Sequence, residues 1–239
     1  MRTSLHSAVQ LVIGLMLIGL PTALSGCSDQ ATTNKASPSV QESEQQQLVD
    51  KARLTVVALR SNSTTASYVN EALREAWGVL IFPNLLRAGF VVGAAGGKGV
   101  LLGHTAGKWS DPAFYFTGEG SFGLQIGAEA GQIMFVVRNR GALEKIVNGN
   151  VNIGGDLSVA IGPIGAGVSG ATTPNMSADL VAFSVQEGIF GGVAFKGGVI
   201  NPLIDWNEAY YGVGATPRAI VLENRFHNPG AEPLKAALR

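Results

Sequence analysis

A regular alternation of apolar residues with glycine or polar residues constrains this fold more than any other feature of the sequence. Residues 121–131 alternate in this way throughout, and residues 151–161 do so with one glycine in an apolar position. Successive side chains of a strand point to opposite faces, so this period of two predicts half-buried antiparallel strands. Shorter apolar segments predict further strands at 79–82, 89–94, 99–102, 113–116, 133–137, 180–185 and 189–196.

Glycine accounts for 32 of the 239 residues, and most of these glycines lie between residues 89 and 214. Glycine inside a strand costs stability, but it is used where a sheet bends sharply. The pattern therefore predicts a small Gly-rich antiparallel barrel or a strongly curved sheet. Approach of a ligand to bare backbone is the alternative reason for these glycines.

Helical periodicity precedes the predicted strands. Leu48, Ala52, Val56 and Leu59 share one face of a predicted helix over residues 44–60, and a second helix is predicted over 65–76. Short helices are also predicted at 142–147 and from Thr216 to about residue 223. The fold class is mainly β with accessory α (α+β), with the N-terminal helices packed on the sheet.

The N-terminus is similar to the signal of a bacterial lipoprotein. An apolar segment over residues 8–20 is followed by Leu-Ser-Gly-Cys at residues 24–27, which resembles a lipobox. We expect residues 1–26 to be a signal peptide, Cys27 to carry acyl chains, and residues 27–43 to be a flexible polar tether. Residues 44–239 then form the folded domain. Ser28 after the cysteine indicates the outer membrane, with the protein facing the periplasm.

Two other interpretations of a membrane protein remain open at this point. A transmembrane helix would need about 20 apolar residues, whereas Pro21 interrupts this segment early. An outer-membrane barrel would need strands of about 9–11 residues, which is longer than most of those predicted here.

The charge balance and the cysteine content argue against several classes of function. Seventeen basic residues balance seventeen acidic residues, so the chain lacks the basic excess of a nucleic-acid-binding protein. Cys27 is the only cysteine, and His104 and His227 lie far apart in the sequence. We therefore expect no metal, no cofactor and no enzymatic activity.

Basic residues near aromatic residues are the candidates for contact with anionic phospholipid. Lysine and arginine near a membrane surface contribute about 1 kcal/mol each, and aromatic rings favour the interface. The first hairpins carry one group of candidates, Arg87, Lys98, Lys108 and Trp109. The first helix carries a second group, Lys51, Arg53 and Arg60. Trp206, Tyr210 and Tyr211 form a further aromatic segment, for which packing is the favoured role.

Several segments together resemble the SYLF-domain family. They are GVLIFP (78–83), GFVVG (89–93), GKGVL (97–101), WSDPA (109–113), GLQIG (123–127), GGDLSVAIGP (154–163), GIFGGV (188–193) and NEAYYG (207–212). The resemblance extends over residues 45–225. It implies a non-enzymatic module that binds phospholipids, notably phosphoinositides in eukaryotic members, and it implies no cofactor and no specific contact residues.

The sequence leaves two other classes of function open besides phospholipid binding. One is a periplasmic carrier that holds one apolar small molecule inside the barrel. The other is a structural envelope protein that binds a protein partner, whose identity the sequence leaves unknown. A filled interior with a basic and aromatic outer patch would favour lipid binding at the surface, whereas an internal apolar cavity would favour the carrier.

Overall fold

The computed structural model describes residues 42–89, 92–122, 127–162, 177–184 and 198–239. Residues Gln41–Arg239 form one compact unit, and the hydrophobic cores lie within it. The predicted signal peptide, Cys27 and almost all of the predicted tether lie outside the described residues, as does the strand predicted at 189–196. Among the described helices, none has the length and apolarity that a membrane span requires.

The sheet confirms the predicted curved β architecture. Its strands are β1 (Gly78–Gly89), β2 (Val92–Thr105), β3 (Lys108–Trp109), β4 (Ala113–Phe122), β5 (Gly127–Val137), β6 (Val151–Asn152), β7 (Val159–Ile161), β8 (Leu180–Ser184) and β9 (Val199–Pro202). The main path runs β6-β9-β4-β2-β1-β5-β8-β7, and β3 pairs with β2. These pairs are antiparallel except β7 and β8, which are parallel, so the sheet is mixed.

The connection between β6 and β7 shows how strongly the sheet curls. These strands lie at opposite ends of the path, yet only residues 153–158 join them. Eight strands laid flat would separate the outermost pair by about 34 Å, since neighbours are about 4.8 Å apart. The short connection spans about 25 Å even when fully extended, and it is shortened by a turn. The sheet therefore bends into a half-barrel.

The same turn corrects the prediction of one continuous strand over residues 151–161. Gly154 has φ +86°, in the left-handed region that favours glycine, and its N–H donates to the Leu157 carbonyl at 2.7 Å. The alternating segment is therefore divided into β6 and β7. The strand predicted over 121–131 is divided as well, between the end of β4 and the start of β5, with residues 123–126 outside the described set.

The helices pack on both faces of the sheet. They are α1 (Glu44–Ser61), α2 (Ala66–Arg74), α3 (Arg140–Asn148), α4 (Ile204–Tyr211) and α5 (Glu232–Ala237), with a π-helical turn at Arg218–Leu222 and a 3-10 turn at Pro229–Ala231. The predicted N-terminal helix pair is confirmed by α1 and α2. The Ser43 side chain caps α1 by accepting from the Gln46 N–H at 3.2 Å. Helices α4 and α5 were not predicted.

Two cores result from this arrangement. The inner face of the sheet, with Phe82, Tyr115 and Phe135, packs against α3 and the π-helical turn. The outer face, with Ile81 and Phe114, packs against α1, α2, α4 and α5. Large side chains thus fill the described interior, and the helical layer covers one end of the outer face.

Candidate functional site

A surface groove forms where α1 and α4 meet the outer face of β1 and β2. We call it the lysine groove. It has a volume of about 330 Å³ and is lined by Glu44, Gln47, Leu48, Lys51, Asn84, Lys98 and Trp206. Lys51 and Lys98, which the sequence placed in two separate candidate groups, therefore border one cavity.

Lys98 makes the most specific contact in the lysine groove. Its Nζ lies 3.8 Å from the centroid of the Trp206 ring, which is a cation–π geometry. The Trp206 ring in turn packs edge-on against fully buried Phe114, with ring centroids 5.9 Å apart. The Phe114 N–H donates to the Asn207 side-chain oxygen at 2.8 Å, which ties α4 to β4. The ammonium group is thus held at the surface by a rigid aromatic support.

Exposed apolar side chains border the groove on the part of the sheet that the helices leave uncovered. Phe116 is the cross-strand partner of Lys98 in the β2–β4 register and is 40% exposed. Leu86 on β1 is the partner of Gly96 and is 62% exposed. A Cβ atom on Gly96 would lie 3.4 Å from the Phe116 ring, so glycine leaves room for this ring against the sheet.

A second basic cavity lies at the other end of α1. We call it the arginine pocket. It has a volume of about 500 Å³ and is lined by Arg60, Asn70, Leu73, Arg74, His104, Gly107, Trp109, Leu238 and Arg239. Arg60 and Trp109 were candidates from the sequence, whereas Arg74 and Arg239 were not, because only the packing of α2 and the C-terminal segment brings them here.

The other candidates from the sequence are placed as follows. Lys108 is exposed in β3 opposite Thr105, so about 23 Å of β2 separates it from Lys98. Arg53 is partly buried on α1 and lines neither cavity. Arg87 lies in β1, paired with Ala95, and its side chain is outside the described set. The first hairpins therefore present no single cluster of Lys98 with Lys108.

Two of the segments that resemble the SYLF family have structural roles here. In WSDPA, Asp111 is buried and its carboxylate lies 3.3 Å from the Lys235 ammonium of α5. In NEAYYG, the Tyr211 hydroxyl donates to the Pro112 carbonyl at 2.7 Å, and burial raises the pKa of Tyr211. These contacts attach α4 and α5 to the end of β3 and the start of β4, where they complete both cavities.

Neither cavity is lined by a cluster of metal-ligating side chains in the part of the chain that the structure describes. Within these residues, no group of three or more histidine, cysteine, aspartate or glutamate side chains is placed to hold a metal ion. The two cavities instead offer ammonium and guanidinium groups beside aromatic rings. This arrangement is suited to binding anions.

Comparison with known proteins gives the family. Residues 118–239, about half of the chain, match the family described as "Ysc84: Las17-binding protein actin regulator". The chain belongs to this family. The SYLF resemblance seen in the sequence is thereby confirmed, and the family description is that of a binding and regulatory protein.

The curated relatives that this Ysc84 family member matches include proteins from human and yeast. The chain is 32% identical over 131 residues to human SH3 domain-containing YSC84-like protein 1, which covers 54% of this chain and 38% of the relative. It is 29% identical over 169 residues to LAS seventeen-binding protein 3 of Saccharomyces cerevisiae, which covers 69% of this chain and 36% of the relative. The chain therefore matches little more than a third of the length of these relatives.

Proposed function

We propose that this protein is a non-enzymatic binding protein that docks on anionic phospholipid through the lysine groove. The observation that carries the proposal is the Lys98 ammonium held over the Trp206 ring, in one groove with Lys51. Ammonium groups attract anionic headgroups, and an indole ring at the surface suits the water–lipid interface. Exposed Phe116 and Leu86 add apolar area that the acyl region would cover.

The expected affinity of this groove is modest. Two lysines contribute about 2 kcal/mol at a membrane surface, and the zero net charge provides no long-range attraction. A modest affinity is sufficient for a protein that is already tethered, because tethering raises the effective concentration to the millimolar range. The groove would then set the orientation and lipid preference of a domain that its anchor holds nearby.

We further propose that Cys27 is the anchor and that the protein faces the periplasm at the outer membrane. The lipobox-like residues 24–27 and Ser28 support this location. A tether of about 16 residues has a root-mean-square reach of about 20–25 Å. Mass spectrometry of the N-terminal peptide from a bacterial host tests the proposal, and an unmodified Cys27 would contradict it.

The filled interior favours the surface over the carrier alternative. Phe82 and Phe135 are fully buried and pack edge-on with ring centroids 6.4 Å apart, and Tyr115 lies fully buried in the same core. A carrier would instead need an open apolar cavity of several hundred cubic ångströms. This comparison concerns the described residues of the inner face.

A second candidate function is binding of a protein partner. It is supported by the family description, which names Las17 binding and actin regulation. In this chain a partner would use the same exposed basic and apolar surface. The two candidates differ in whether purified lipid alone is sufficient for binding.

Vesicle flotation of residues 41–239, first checked for cooperative unfolding, tests the lipid proposal. We expect binding to vesicles containing phosphatidylglycerol, weaker binding at high salt, and little binding to phosphatidylcholine alone. Combined Lys51→Glu and Lys98→Glu substitutions should weaken binding at least about tenfold, because two favourable charges are reversed. Lys108→Glu is the matched control, since this exposed lysine lies outside the groove.

The pattern of outcomes separates the candidates. Equal loss in the control and the double variant would show a general charge effect and contradict the groove assignment. Absence of flotation for the unmodified domain would contradict lipid binding and favour the protein partner.

A further inference from the structure

The arginine pocket is more basic than its surroundings. Among its lining residues are the three arginines Arg60, Arg74 and Arg239, together with His104, and there is no aspartate or glutamate. The whole chain, by contrast, has equal numbers of basic and acidic residues. The Glu232 carboxylate, 3.9 Å from Arg239 Nη2, offsets part of this positive charge. A bound anion would relieve the repulsion that remains among the guanidinium groups.

Arg60 is held in a fixed orientation by its hydrogen bonds. Its Nε donates to the Asn70 side-chain oxygen at 2.8 Å, and its Nη1 donates to the backbone oxygens of Ala237 and Arg239. In the part of the chain that the structure describes, the hydrogen bonds of this side chain involve Nε and Nη1 and none involves Nη2. A guanidinium whose plane is fixed in this way is pre-organised for an oxyanion.

Arg74 supplies a second guanidinium from the last turn of α2. It is exposed, and within the described ranges it forms no ion pair. The end of a helix is a favourable place for a cation, which explains an arginine in this turn. It does not explain why the side chain borders the same cavity as Arg60 and Arg239.

The floor of the arginine pocket is aromatic and apolar. Trp109 is 6% exposed, and its ring stacks on the His104 ring with centroids 4.3 Å apart. His104 Nδ1 lies 3.0 Å from the Ala76 carbonyl oxygen, and this contact orients the imidazole ring. Leu73 and Leu238 complete the lining. A ligand here would place an anionic group on the arginines and an apolar part on this floor.

We propose that the arginine pocket binds the phosphate group of a phosphomonoester. A phosphate dianion has enough oxygens to accept from several guanidinium groups at once, whereas a carboxylate satisfies only one or two. The pocket and the lysine groove share no lining residue, so this binding does not require the lysine groove. The phosphomonoester belongs either to a soluble metabolite or to a lipid headgroup such as phosphatidic acid.

The first experiment titrates the full chain, in a neutral detergent, with inorganic phosphate and with glycerol phosphate while thermal unfolding is followed at constant ionic strength. We expect inorganic phosphate and glycerol phosphate to raise the midpoint temperature of unfolding. Acetate should leave this temperature almost unchanged. Arg74→Gln should weaken phosphate binding about tenfold or more. This substitution removes no described contact, so the variant should fold. Arg140→Gln is the matched control, because Arg140 is an exposed arginine paired with Glu144 on α3.

Two further arms complete the test. If Arg74→Gln weakens binding to vesicles containing phosphatidic acid more than it weakens binding of glycerol phosphate, the source is a lipid headgroup; the converse indicates a soluble phosphomonoester. The Lys51→Glu and Lys98→Glu variant should retain the phosphate response even if its lipid docking is lost. An equal response to acetate and phosphate, or an unchanged response in Arg74→Gln, would overturn the proposal.

Discussion

The lysine groove and the arginine pocket lie at opposite ends of α1, and their cations are supported in different ways. Lys98 rests on an aromatic ring, and within the described residues Lys51 and Lys98 form no ion pair with an acidic side chain. Arg60 instead joins α1 to α2 and to the C-terminal segment. Hydrogen-bond partners, more than position in a basic segment, therefore decide whether a cation also stabilises the fold.

The largest expected effect on stability comes from Asp111, which attaches α5 and the C-terminal residues that line the arginine pocket. Asp111→Ala should reduce the free energy of unfolding by about 3 kcal/mol, since breaking a buried ion pair leaves Lys235 without its buried partner. Glu232, 2.7 Å from the Lys235 ammonium, keeps the loss at the low end of the range. Chemical denaturation measures it.

Asp205→Ala on the exposed surface of α4 is the control for this measurement. If Asp111→Ala cost no more than the control, Asp111 would not be the attachment point of α5. In the folded variant, the phosphate response should fall while flotation with anionic vesicles is retained, because the lysine groove lies on other elements.

The second prediction compares how much Arg60 and Lys98 contribute to the free energy of unfolding. Arg60→Ala should reduce the free energy of unfolding by about 2 kcal/mol, because it removes hydrogen bonds from a charged donor to three acceptors. Lys98→Ala should reduce it by less, about 0.5–1 kcal/mol, because it removes one exposed cation–π contact. Denaturant unfolding of both variants gives the values. Equal losses would mean that the two cavities do not differ in the way we describe.

The smallest expected effect is a loss of thermal stability at acidic pH. A hydrogen bond from Lys235 lowers the pKa of Glu232 below its ordinary value of 4.5. A lowered pKa in the folded state stabilises the protein above pH 4.5, and this stabilisation is lost as the pH falls through the folded-state value. The thermal midpoint should therefore decline with acid below about pH 4.5, and less steeply in Glu232→Gln. Identical pH profiles would contradict this role.

The sequence predicted some contributions to the candidate sites and missed others. Lys51, Lys98, Arg60 and Trp109 could be selected because basic and aromatic residues stand out in a chain with few charges. Their division between two cavities could not be predicted, since Lys51 and Lys98 lie far apart in the chain and meet only where α1 crosses the sheet. Arg74 and Arg239 carried no signal, because ordinary surface arginines have the same local sequence context.

The curved β architecture and the N-terminal helix pair follow from local patterns in the sequence. Periods of two and 3.6 are local properties, and glycine favours bending wherever the chain places it. Three other features depend on tertiary packing: the turn at Gly154 that divides an alternating segment, the attachment of α5 through Asp111, and the support of Lys98 by Trp206. Each depends on residues that are distant in sequence or on one backbone conformation. A pattern of hydrophobicity records which side of an element is buried but not which residues it meets there.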